Sequence, residues 1–325
     1  MPDSDTKTLL IKGKAGLGNR ILSTLTGMAY GQMSSRRIIV DWSDGAYAAK
    51  GTNAFPLLFS SPVFSPDTAP PQTNDVTPDV WRDHITWSVE QMIGKYDPKR
   101  FSDPTIYRKY CCDLSRTDLP QTLAVYWSYL PKFRHIRKHF KGQYAHLVGM
   151  SERRIIAELM PQLIIPLPVI TDPVDQFVSE QFKAPVIGVH VRHSDRKSPI
   201  EKICRSIDRL LAKTPEAQIF LATDNRAVET DLKSRYANII VTDKWLPSPG
   251  EAIHYNKTDV DPTKSAIEAL IDIYLLSRCD YLIYPGGSTF SYLARCIGNF
   301  PSSHIIDVEA FDPKVQIKRA IHNFL

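Results

Sequence analysis

The sequence has few cysteines and lacks a long apolar run. Its five cysteines are an odd number, include the neighbours Cys111 and Cys112, and show no CxxC spacing. This pattern argues against a disulfide framework and against a zinc site. No apolar window approaches the roughly 20 residues that span a bilayer, and the polar start MPDSDTKTLLIKG does not have the form of a secretory signal. We therefore expect a cytoplasmic protein without a transmembrane segment.

Charge of one sign is not in large excess either. The formal net charge is +5, and no basic run is long enough to favour nucleic acid as a partner. In the basic stretch 132–154, Phe133, Phe140 and Tyr144 have helical spacing, which indicates a packed helix face rather than an RNA-binding surface. The mild positive charge suits an anionic small molecule, and 325 residues suffice for two domains.

What is present is an alternation of strands and helices. In the C-terminal half these elements follow one another with short connections, which predicts a doubly wound parallel sheet. After the strand VIGVHV, the residues Ser198, Pro199 and Glu201 fit the N-cap, N1 and N3 positions of a helix. Further strands are predicted at 218–223, 239–242, 280–284 and 304–307, with a long buried helix at 263–279.

The N-terminal half starts with the same pattern. A strand, a glycine loop, a helix and a second strand form one βαβ unit, and a stretch rich in Pro, Ser, Thr and Asp follows. The predicted elements are strands 8–13, 37–42 and 122–127, an irregular stretch 43–85, and helices near 132–146 and 151–160.

The segment 161–173 holds four prolines and is predicted to connect two domains. We expect an N-terminal Rossmann-like domain at 1–170 and a C-terminal Rossmann-like domain at 171–307. We expect the last segment, 308–325, to return to the N-terminal domain. Ligands of such sheets bind outside the carboxyl ends of the strands, in a cleft lined by helix N-termini.

Charged side chains crowd the predicted end of the first C-terminal strand. Alternation sends His190 and Arg192 to one face of the strand, and Val191 and His193 to the other. Arg192 offers a planar fork of donors that matches a phosphate. A structural ion pair of Arg192 is the alternative, and the neighbouring His190 favours a ligand.

Two turns could bind an anion through backbone and hydroxyl groups. The loop 13–20 contains small residues that let amides approach a ligand closely, and the turn 285–289 brings two hydroxyls to a helix start. An ordinary N-cap explains the second turn equally well. The candidate residues are Gly16, Gly18, Asn19, Arg20, Ser288 and Thr289.

Two carboxylates are also candidates. Asp272 lies in an apolar helix, so it must pair with a neighbour or accept a hydrogen bond from a ligand. Asp224 follows a strand, and helix capping explains it as well as ligand binding does. No cluster has the spacing of metal ligands. The DxD at Asp259–Asp261 falls in a predicted loop.

The sequence resembles the rhizobial nodulation fucosyltransferases (NodZ type) and, more distantly, the core α-1,6-fucosyltransferases and protein O-fucosyltransferases. The resemblance extends from about residue 8 to 310, and GVHVRH together with ALIDIYLLSRC is its most specific part. The motifs that carry it are AGLGNR (15–20), VDW (40–42), GVHVRH (188–193), ATDN (222–225), ALIDIYLLSRC (269–279) and the hydroxyl pair at 288–289.

This resemblance implies an α/β fold of the GT-B type, with two Rossmann-like domains whose parallel sheets face across a cleft. It implies an inverting, metal-independent fucosyltransferase with GDP-fucose as donor, a glycan acceptor and no cofactor. Arg192 and the hydroxyl pair would hold the diphosphate, with His190 beside it. Asp272 and Asp224 would help to hold the nucleotide, and His193 is a further candidate for nucleotide binding. The domain at 1–170 would lie on the acceptor side, and the domain at 171–307 would bind the nucleotide sugar.

The acceptor is less defined by the resemblance. The family's Gly-Asn-Gly is replaced by Ser194-Asp195-Arg196, and residues 43–120 show little likeness. A GlcNAc-type oligosaccharide fucosylated through an α-1,6 linkage is one candidate. The general base that takes the acceptor proton is expected among Asp195, Asp44 and Glu201. We expect a monomer or weak dimer.

Two alternative functions remain open from the sequence. The first keeps the reaction class and changes the donor to GDP-mannose, GDP-rhamnose or another nucleotide sugar. The second is a catalytically silent protein that binds a nucleotide or a glycan. Transfer of the sugar separates the second alternative from the first, and a panel of donors separates the sugars.

Overall fold

Two parallel sheets organise the chain, each within its own unit. The computed structural model describes residues 7–64, 69–101, 103, 105–193, 197–244 and 261–324. The two units are Met1–Leu167 and Pro168–Phe324. The division falls close to residue 170, where the sequence predicts it.

The first unit is built on a four-stranded parallel sheet of order β2-β1-β5-β4. A short antiparallel pair, β3 with β6, accompanies it. The elements in chain order are β1 (Thr8–Lys12), α1 (Leu17–Met33), β2 (Arg37–Asp41), α2 (Phe55–Leu58), β3 (Phe59–Ser60), β4 (Val76–Thr77), α3 (Val89–Tyr96), α4 (Tyr107–Tyr110), β5 (Leu123–Tyr126), α5 (Phe133–Ile136), α6 (Glu152–Leu163) and β6 (Ile165–Pro166).

The centre of this sheet is apolar because it is covered. All residues of β1 and β5 are buried, as expected for strands of a parallel sheet with both faces packed. Helix α1 packs closely on the sheet at Gly27, where an added Cβ would lie 2.7 Å from Ile11 Cδ1 and 2.8 Å from Tyr126 Cδ1. Glycine at this position therefore lets the helix backbone approach β1 and β5.

Two predicted segments of this unit differ in the structure. The predicted helix at 132–146 is broken: α5 has four residues, and two 3-10 turns at Arg137–His139 and Gly142–Leu147 follow it. Its aromatic side chains are nevertheless buried as predicted. The proline-rich segment 161–173, predicted to connect two domains, includes the boundary between the units after residue 167, but it is largely helical: Pro161 lies inside α6 and Pro173 lies inside the next helix.

The second unit is built on a five-stranded sheet of order β11-β10-β7-β8-β9, in which all neighbours are parallel. The predicted doubly wound sheet is confirmed. Its elements are α7 (Pro168–Gln181), β7 (Val186–Val191), α8 (Ile200–Leu211), β8 (Gln218–Thr223), α9 (Arg226–Arg235), β9 (Ile239–Ile240), α10 (Pro262–Ser277), β10 (Tyr281–Tyr284), α11 (Thr289–Gly298), β11 (Ile305–Asp307) and α12 (Pro313–Phe324).

The central strand β7 is buried along its whole length. The chain just after α10 approaches it closely at Gly188, where an added Cβ would lie 2.9 Å from Cys279 Sγ. Because every strand runs in the same direction, the residues after β7, β8, β9 and β10 emerge at one edge of the sheet. This edge is the carboxyl edge of the second sheet.

The C-terminal helix α12 belongs to the second unit. Phe311, before the helix, is 97% exposed, and Ile317 is 61% exposed. The return of 308–325 to the N-terminal domain stays a prediction. None of the helices in the described part of the chain has the length and apolar character needed to cross a membrane.

We predict that Gly27→Ala lowers the stability of the protein. The added methyl group overlaps Ile11 and Tyr126, and overpacking of this kind costs about 1–3 kcal/mol. Gly94→Ala in α3 is the matched control, since no atom lies within 4 Å of its added Cβ. We expect this control to stabilise the protein by about 0.5–1 kcal/mol, because alanine is the better helix former. Urea unfolding measures both variants, and a Gly27→Ala protein as stable as the wild type would contradict the close packing.

Candidate functional site

Several predicted side chains meet at the carboxyl edge of the second sheet. His190 is the fifth residue of β7, pairs with Ala222 of β8 and is buried. Its ring stacks on Phe290 in the first turn of α11, with 4.8 Å between ring centroids and 21° between planes. The strand end and the predicted hydroxyl turn therefore lie side by side, as parallel strands allow.

The environment of His190 keeps its imidazole neutral. Burial, together with the positive charges of Arg192 and Lys244, lowers the pKa of His190 to about 3. Its Nδ1 atom is buried and has no hydrogen-bond partner among the described residues. A neutral ring has one donor and one acceptor nitrogen, so His190 is suited to hydrogen bonding rather than to carrying charge.

Ser198 holds the end of β7 in place. Its backbone N–H and its hydroxyl both donate to the Arg192 carbonyl, at 2.9 and 2.8 Å, and the hydroxyl accepts from the Arg192 N–H at 3.0 Å. The prediction that Ser198 caps α8 is therefore wrong, since Pro199 occupies the N-cap position. The Ser198 hydrogen bonds instead fix the backbone from which the half-buried Arg192 side chain extends.

Asp224 links the ends of two strands. Its Oδ1 accepts a hydrogen bond of 2.7 Å from the backbone N–H of His193. Capping of α9 is carried out by Asn225, whose side chain accepts from the Val228 N–H at 3.1 Å. Asp224 is thus not the capping residue, and it orients the loop that follows β7.

Asp272 has its partners within the protein. Lys244 Nζ donates to its Oδ2, and the Thr242 hydroxyl donates to its Oδ1 at 2.8 Å. The side chains of Lys244 and Asp272 are 10% and 3% exposed, so the pair is buried. Of the two predicted explanations, pairing with a neighbour is the one seen, although the neighbour is a lysine rather than an arginine.

Lys244 is a residue that the sequence patterns did not single out. It lies two residues after Thr242, the predicted end of a strand, and its charge contributes to the low pKa of His190. A lysine just past the end of a parallel strand was the available signal. Nothing in the sequence indicated that its partner would be an aspartate on a helix almost thirty residues further along.

The turn 285–289 differs from the predicted anion site in one respect. The Gly286 N–H donates to Asp307 Oδ1 at 2.9 Å, and the Gly287 N–H donates to Glu309 Oε2 at 3.0 Å. These two amides are therefore not available to a ligand. No pattern in the sequence placed the two carboxylates, which lie at and just after the end of β11, at this turn.

The hydroxyl residues of this turn do stand at a helix start. Ser288 is the N-cap residue of α11, and Thr289 is its first residue. The Ser288 Oγ is buried without a hydrogen-bond partner among the described residues. An N-terminal helix end carries a partial positive charge, so this hydroxyl and the helix together favour an anion.

The predicted glycine-loop site of the first unit is engaged internally. Arg20 Nη1 and Nη2 donate to the two carboxylate oxygens of Asp44 at 3.0 and 2.5 Å, and Arg20 Nε donates to the Ala15 carbonyl at 2.9 Å. Burial alone would lower the pKa of Arg20, but the Asp44 carboxylate outweighs it and raises the pKa. Arg20 is therefore not a free cation for a phosphate, and Asp44 is not a free base.

The other residues of this loop shape the start of α1. Gly16 is the N-cap residue in an extended conformation, and Gly18 lies in the first turn of α1. Asn19 Nδ2 donates to the Tyr129 carbonyl at 2.6 Å, which ties α1 to the segment after β5. Their roles in ligand binding stay predictions.

The structure does not bring Glu201, one of the predicted catalytic carboxylates, into this arrangement. Glu201 has a side chain that is 94% exposed, and its carboxylate lies 3.8 Å from Arg205 in the same helix. Asp195 lies outside the described residues. In the part of the chain that the structure describes, no group of three or more His, Cys, Asp or Glu side chains could hold a metal ion.

Comparisons with known proteins point to one family. The family model of nodulation protein Z (NodZ) matches residues 147–322. Nodulation protein Z of Azorhizobium caulinodans is 25% identical to this chain over 313 residues, which cover 88% of this chain and 87% of that protein.

Solved structures share the fold. A crystal structure of NodZ alpha-1,6-fucosyltransferase soaked with GDP-fucose has a TM-score of 0.64 and 21% identity, and the match covers 95% of this chain and 97% of that chain. A mutant of Arabidopsis thaliana FUT1 in complex with GDP has a TM-score of 0.57 and 16% identity, over 92% of this chain and 70% of that chain. The expected α/β fold of the GT-B type is confirmed.

The low pKa of His190 predicts acid sensitivity. Between pH 6.5 and about 3 the unfolded chain binds a proton at this histidine that the folded protein does not, so stability falls as the pH falls below 6.5. The loss is about 1.4 kcal/mol per pH unit, or about 2 kcal/mol at pH 5. Between pH 7 and pH 5 the stability measured by urea unfolding should change by about 2 kcal/mol more unfavourably in the wild type than in His190→Gln, because other groups, such as Glu152 with its raised pKa, titrate alike in both proteins. Equal losses in the two proteins would contradict a neutral His190.

Proposed function

The chain belongs to the nodulation protein Z family, and from this we propose that it is a fucosyltransferase that transfers fucose from GDP-fucose to a hydroxyl of a glycan acceptor. One observation carries the proposal: at the carboxyl edge of the second sheet, Arg192 directly follows β7, and His190 stacks on the first turn of α11. The solved relative soaked with GDP-fucose supports fucose over the mannose and rhamnose alternatives.

The proposed reaction places negative charge on the departing diphosphate. Cleavage of the bond from the anomeric carbon leaves charge on a phosphate oxygen, while positive charge develops on the sugar ring. Fixed donors that meet the growing negative charge lower the barrier. We assign this role to the Arg192 guanidinium, the Ser288 and Thr289 hydroxyls and the N-terminal end of α11.

The rigid backbone around Arg192 supports this assignment. Three hydrogen bonds to Ser198 fix the Arg192 peptide group, and the bond from His193 to Asp224 fixes the next residue. Preorganised donors are more effective than mobile ones because they need no rearrangement when charge develops. In the proposal Asp224 and Ser198 are positioning residues, and Arg192 contacts the diphosphate.

His190 and Asp272 take the nucleotide-side roles in the proposal. The neutral His190 ring can exchange hydrogen bonds with the donor without adding charge next to Arg192. Asp272 shares its carboxylate with Lys244 and Thr242, so a nucleotide would bind in competition with one of these or through Lys244. Asp307 and Glu309 hold the backbone of the 285–289 turn and do not contact the phosphates.

We propose that one of the remaining predicted carboxylates takes the proton from the acceptor hydroxyl. An inverting transfer needs a base on the face of the sugar opposite the leaving group. Asp44 is occupied by Arg20, which leaves Asp195 and Glu201 of the three predicted bases. Because the solved relative is an alpha-1,6-fucosyltransferase, we propose an α-1,6 linkage to a GlcNAc-type acceptor. We propose a cytoplasmic monomer or weak dimer.

We predict that Arg192→Ala folds but loses activity. Removal of a donor that meets developing charge costs on the order of a hundredfold or more in kcat, and GDP should bind more weakly. Arg192→Lys should recover only part of the loss, because an ammonium group lacks the two-pronged geometry of a guanidinium. The matched control is Arg205→Ala, an exposed arginine on α8 of the same unit.

The measurements are initial rates of fucose transfer and titration of GDP for all four proteins. Arg205→Ala should behave as the wild type does. Transfer of fucose by Arg192→Ala at the wild-type rate would contradict the proposal that Arg192 contacts the diphosphate. A wild-type protein that binds GDP but releases no GDP from GDP-fucose would point to the silent binding protein instead.

We also predict that transfer does not depend on a divalent metal ion. Arg192 and the α11 end, rather than a cation, carry the phosphate charge in the proposed reaction. Transfer rates measured in excess EDTA should equal those in added Mg²⁺ or Mn²⁺ within a factor of about 2. Loss of activity in the chelator that added metal restores would place a cation in the reaction.

A further inference from the structure

A second group of side chains stands at the carboxyl edge of the first sheet. Lys14 follows β1 by two residues, and its side chain is 3% exposed. Its Nζ atom lies 3.1 Å from Glu90 Oε1, in the first turn of α3. A lysine is almost never this deeply buried unless it is paired, so the local structure is built around this ion pair.

Two aromatic rings enclose the ammonium group of Lys14. Its Nζ lies 4.3 Å from the centroid of the Phe101 ring and 5.6 Å from that of Tyr129. The Tyr129 hydroxyl donates to the Phe101 carbonyl at 3.1 Å, which fixes the backbone of Phe101. Phe101 is nevertheless 44% exposed, so a ring that packs on a buried cation also presents a large apolar surface to solvent.

In the other buried ion pairs at this edge, the cation also forms hydrogen bonds to further protein groups or to both oxygens of its carboxylate partner. Lys12 bonds to Asp41 and to the Ile85 carbonyl, both at 2.6 Å, and Arg20 bonds to both oxygens of Asp44. Each of these pairs is explained as part of the unit's interior. Their hydrogen bonds leave no surface for a ligand to use.

The Lys14–Glu90 pair is different. The Glu90 side chain as a whole is 36% exposed, whereas its Oε2 atom is buried and has no hydrogen-bond donor among the described residues. An exposed aromatic ring therefore lies beside a carboxylate with remaining acceptor capacity and a lysine that neutralises the carboxylate charge.

This combination matches a neutral pyranose sugar. Ligand sites combine aromatic surface with a few polar groups that fix orientation. One face of a pyranose ring presents C–H groups that pack on an aromatic ring, and its hydroxyls at the rim donate to carboxylates. An anionic ligand fits poorly, since Glu90 already balances Lys14, and an apolar ligand would leave the Glu90 oxygen without a donor.

We propose that Phe101, with Glu90 and Lys14 beside it, binds a sugar ring of the acceptor glycan. Phe101 stacks on the ring, and Glu90 accepts a hydrogen bond from one of its hydroxyls. The inference rests on the proposed function for the identity of the glycan as an acceptor. Phe101 and Glu90 lie within 43–120, where the sequence shows little likeness to the family.

The test uses titration of N,N′,N″-triacetylchitotriose into the full-length protein in the presence of GDP. We expect Phe101→Ala to bind the triose at least tenfold more weakly and Phe101→Trp to bind it about as tightly as the wild type. Tyr96→Ala is the matched control, because Tyr96 belongs to the same unit and is also 44% exposed but does not cover Lys14. GDP affinity should be unchanged in all three variants.

The role of Glu90 is tested by Glu90→Gln in the same titration. The glutamine amide keeps the shape of the side chain, but its uncharged oxygen accepts a weaker hydrogen bond from a sugar hydroxyl than the carboxylate does. The triose should therefore bind several-fold more weakly, while GDP affinity is unchanged. Kinetics give a second readout: the acceptor KM should rise in Phe101→Ala, with the KM for GDP-fucose unchanged.

Three results would overturn the inference. They are wild-type affinity for the triose in Phe101→Ala, an equal loss in Tyr96→Ala, and absence of triose binding by the wild-type protein. Failure of the proposed function looks different, since the wild-type protein would then bind the triose in a Phe101-dependent manner and yet transfer no fucose from GDP-fucose.

Discussion

A charged group at the edge of a buried parallel sheet must find a partner, and this constraint organises both units. Removing a charge from water costs several kcal/mol unless an opposite charge or hydrogen bonds replace the water. In the first unit Arg20 is satisfied by Asp44, and in the second Lys244 is satisfied by Asp272. The charges of these two pairs are satisfied by the protein itself and are structural.

The second sheet shows how this constraint shapes a site for a nucleotide sugar. The positive charges of Arg192 and Lys244 and the burial of the ring keep His190 neutral. The carboxylates of Asp307 and Glu309 accept hydrogen bonds from backbone amides of the 285–289 turn. The buried Ser288 hydroxyl and the N-terminal end of α11 are the groups of this turn that favour an anion.

Much of the fold could be predicted from the sequence. The strands of the second sheet appear as short apolar runs, because a strand covered on both faces must be apolar along its length. The broken helix at 132–146 could not be predicted, since aromatic residues at helical spacing are equally buried by short turns. Likewise, the prolines of 161–173 indicated a connection between two domains, but they did not indicate that Pro161 and Pro173 lie inside helices.

The sequence by itself determined that the chain has two α/β units, which strand carries His190 and Arg192, and where the hydroxyl pair at the start of α11 lies. Local apolar patterns and turn residues encode these features. Only the tertiary structure decided which charges are paired. The partner of Asp44 is 24 residues away, and the partner of Asp272 is 28 residues away. Pairing across such separations depends on how helices and strands pack, so a residue's chemistry is visible in the sequence while its availability is not.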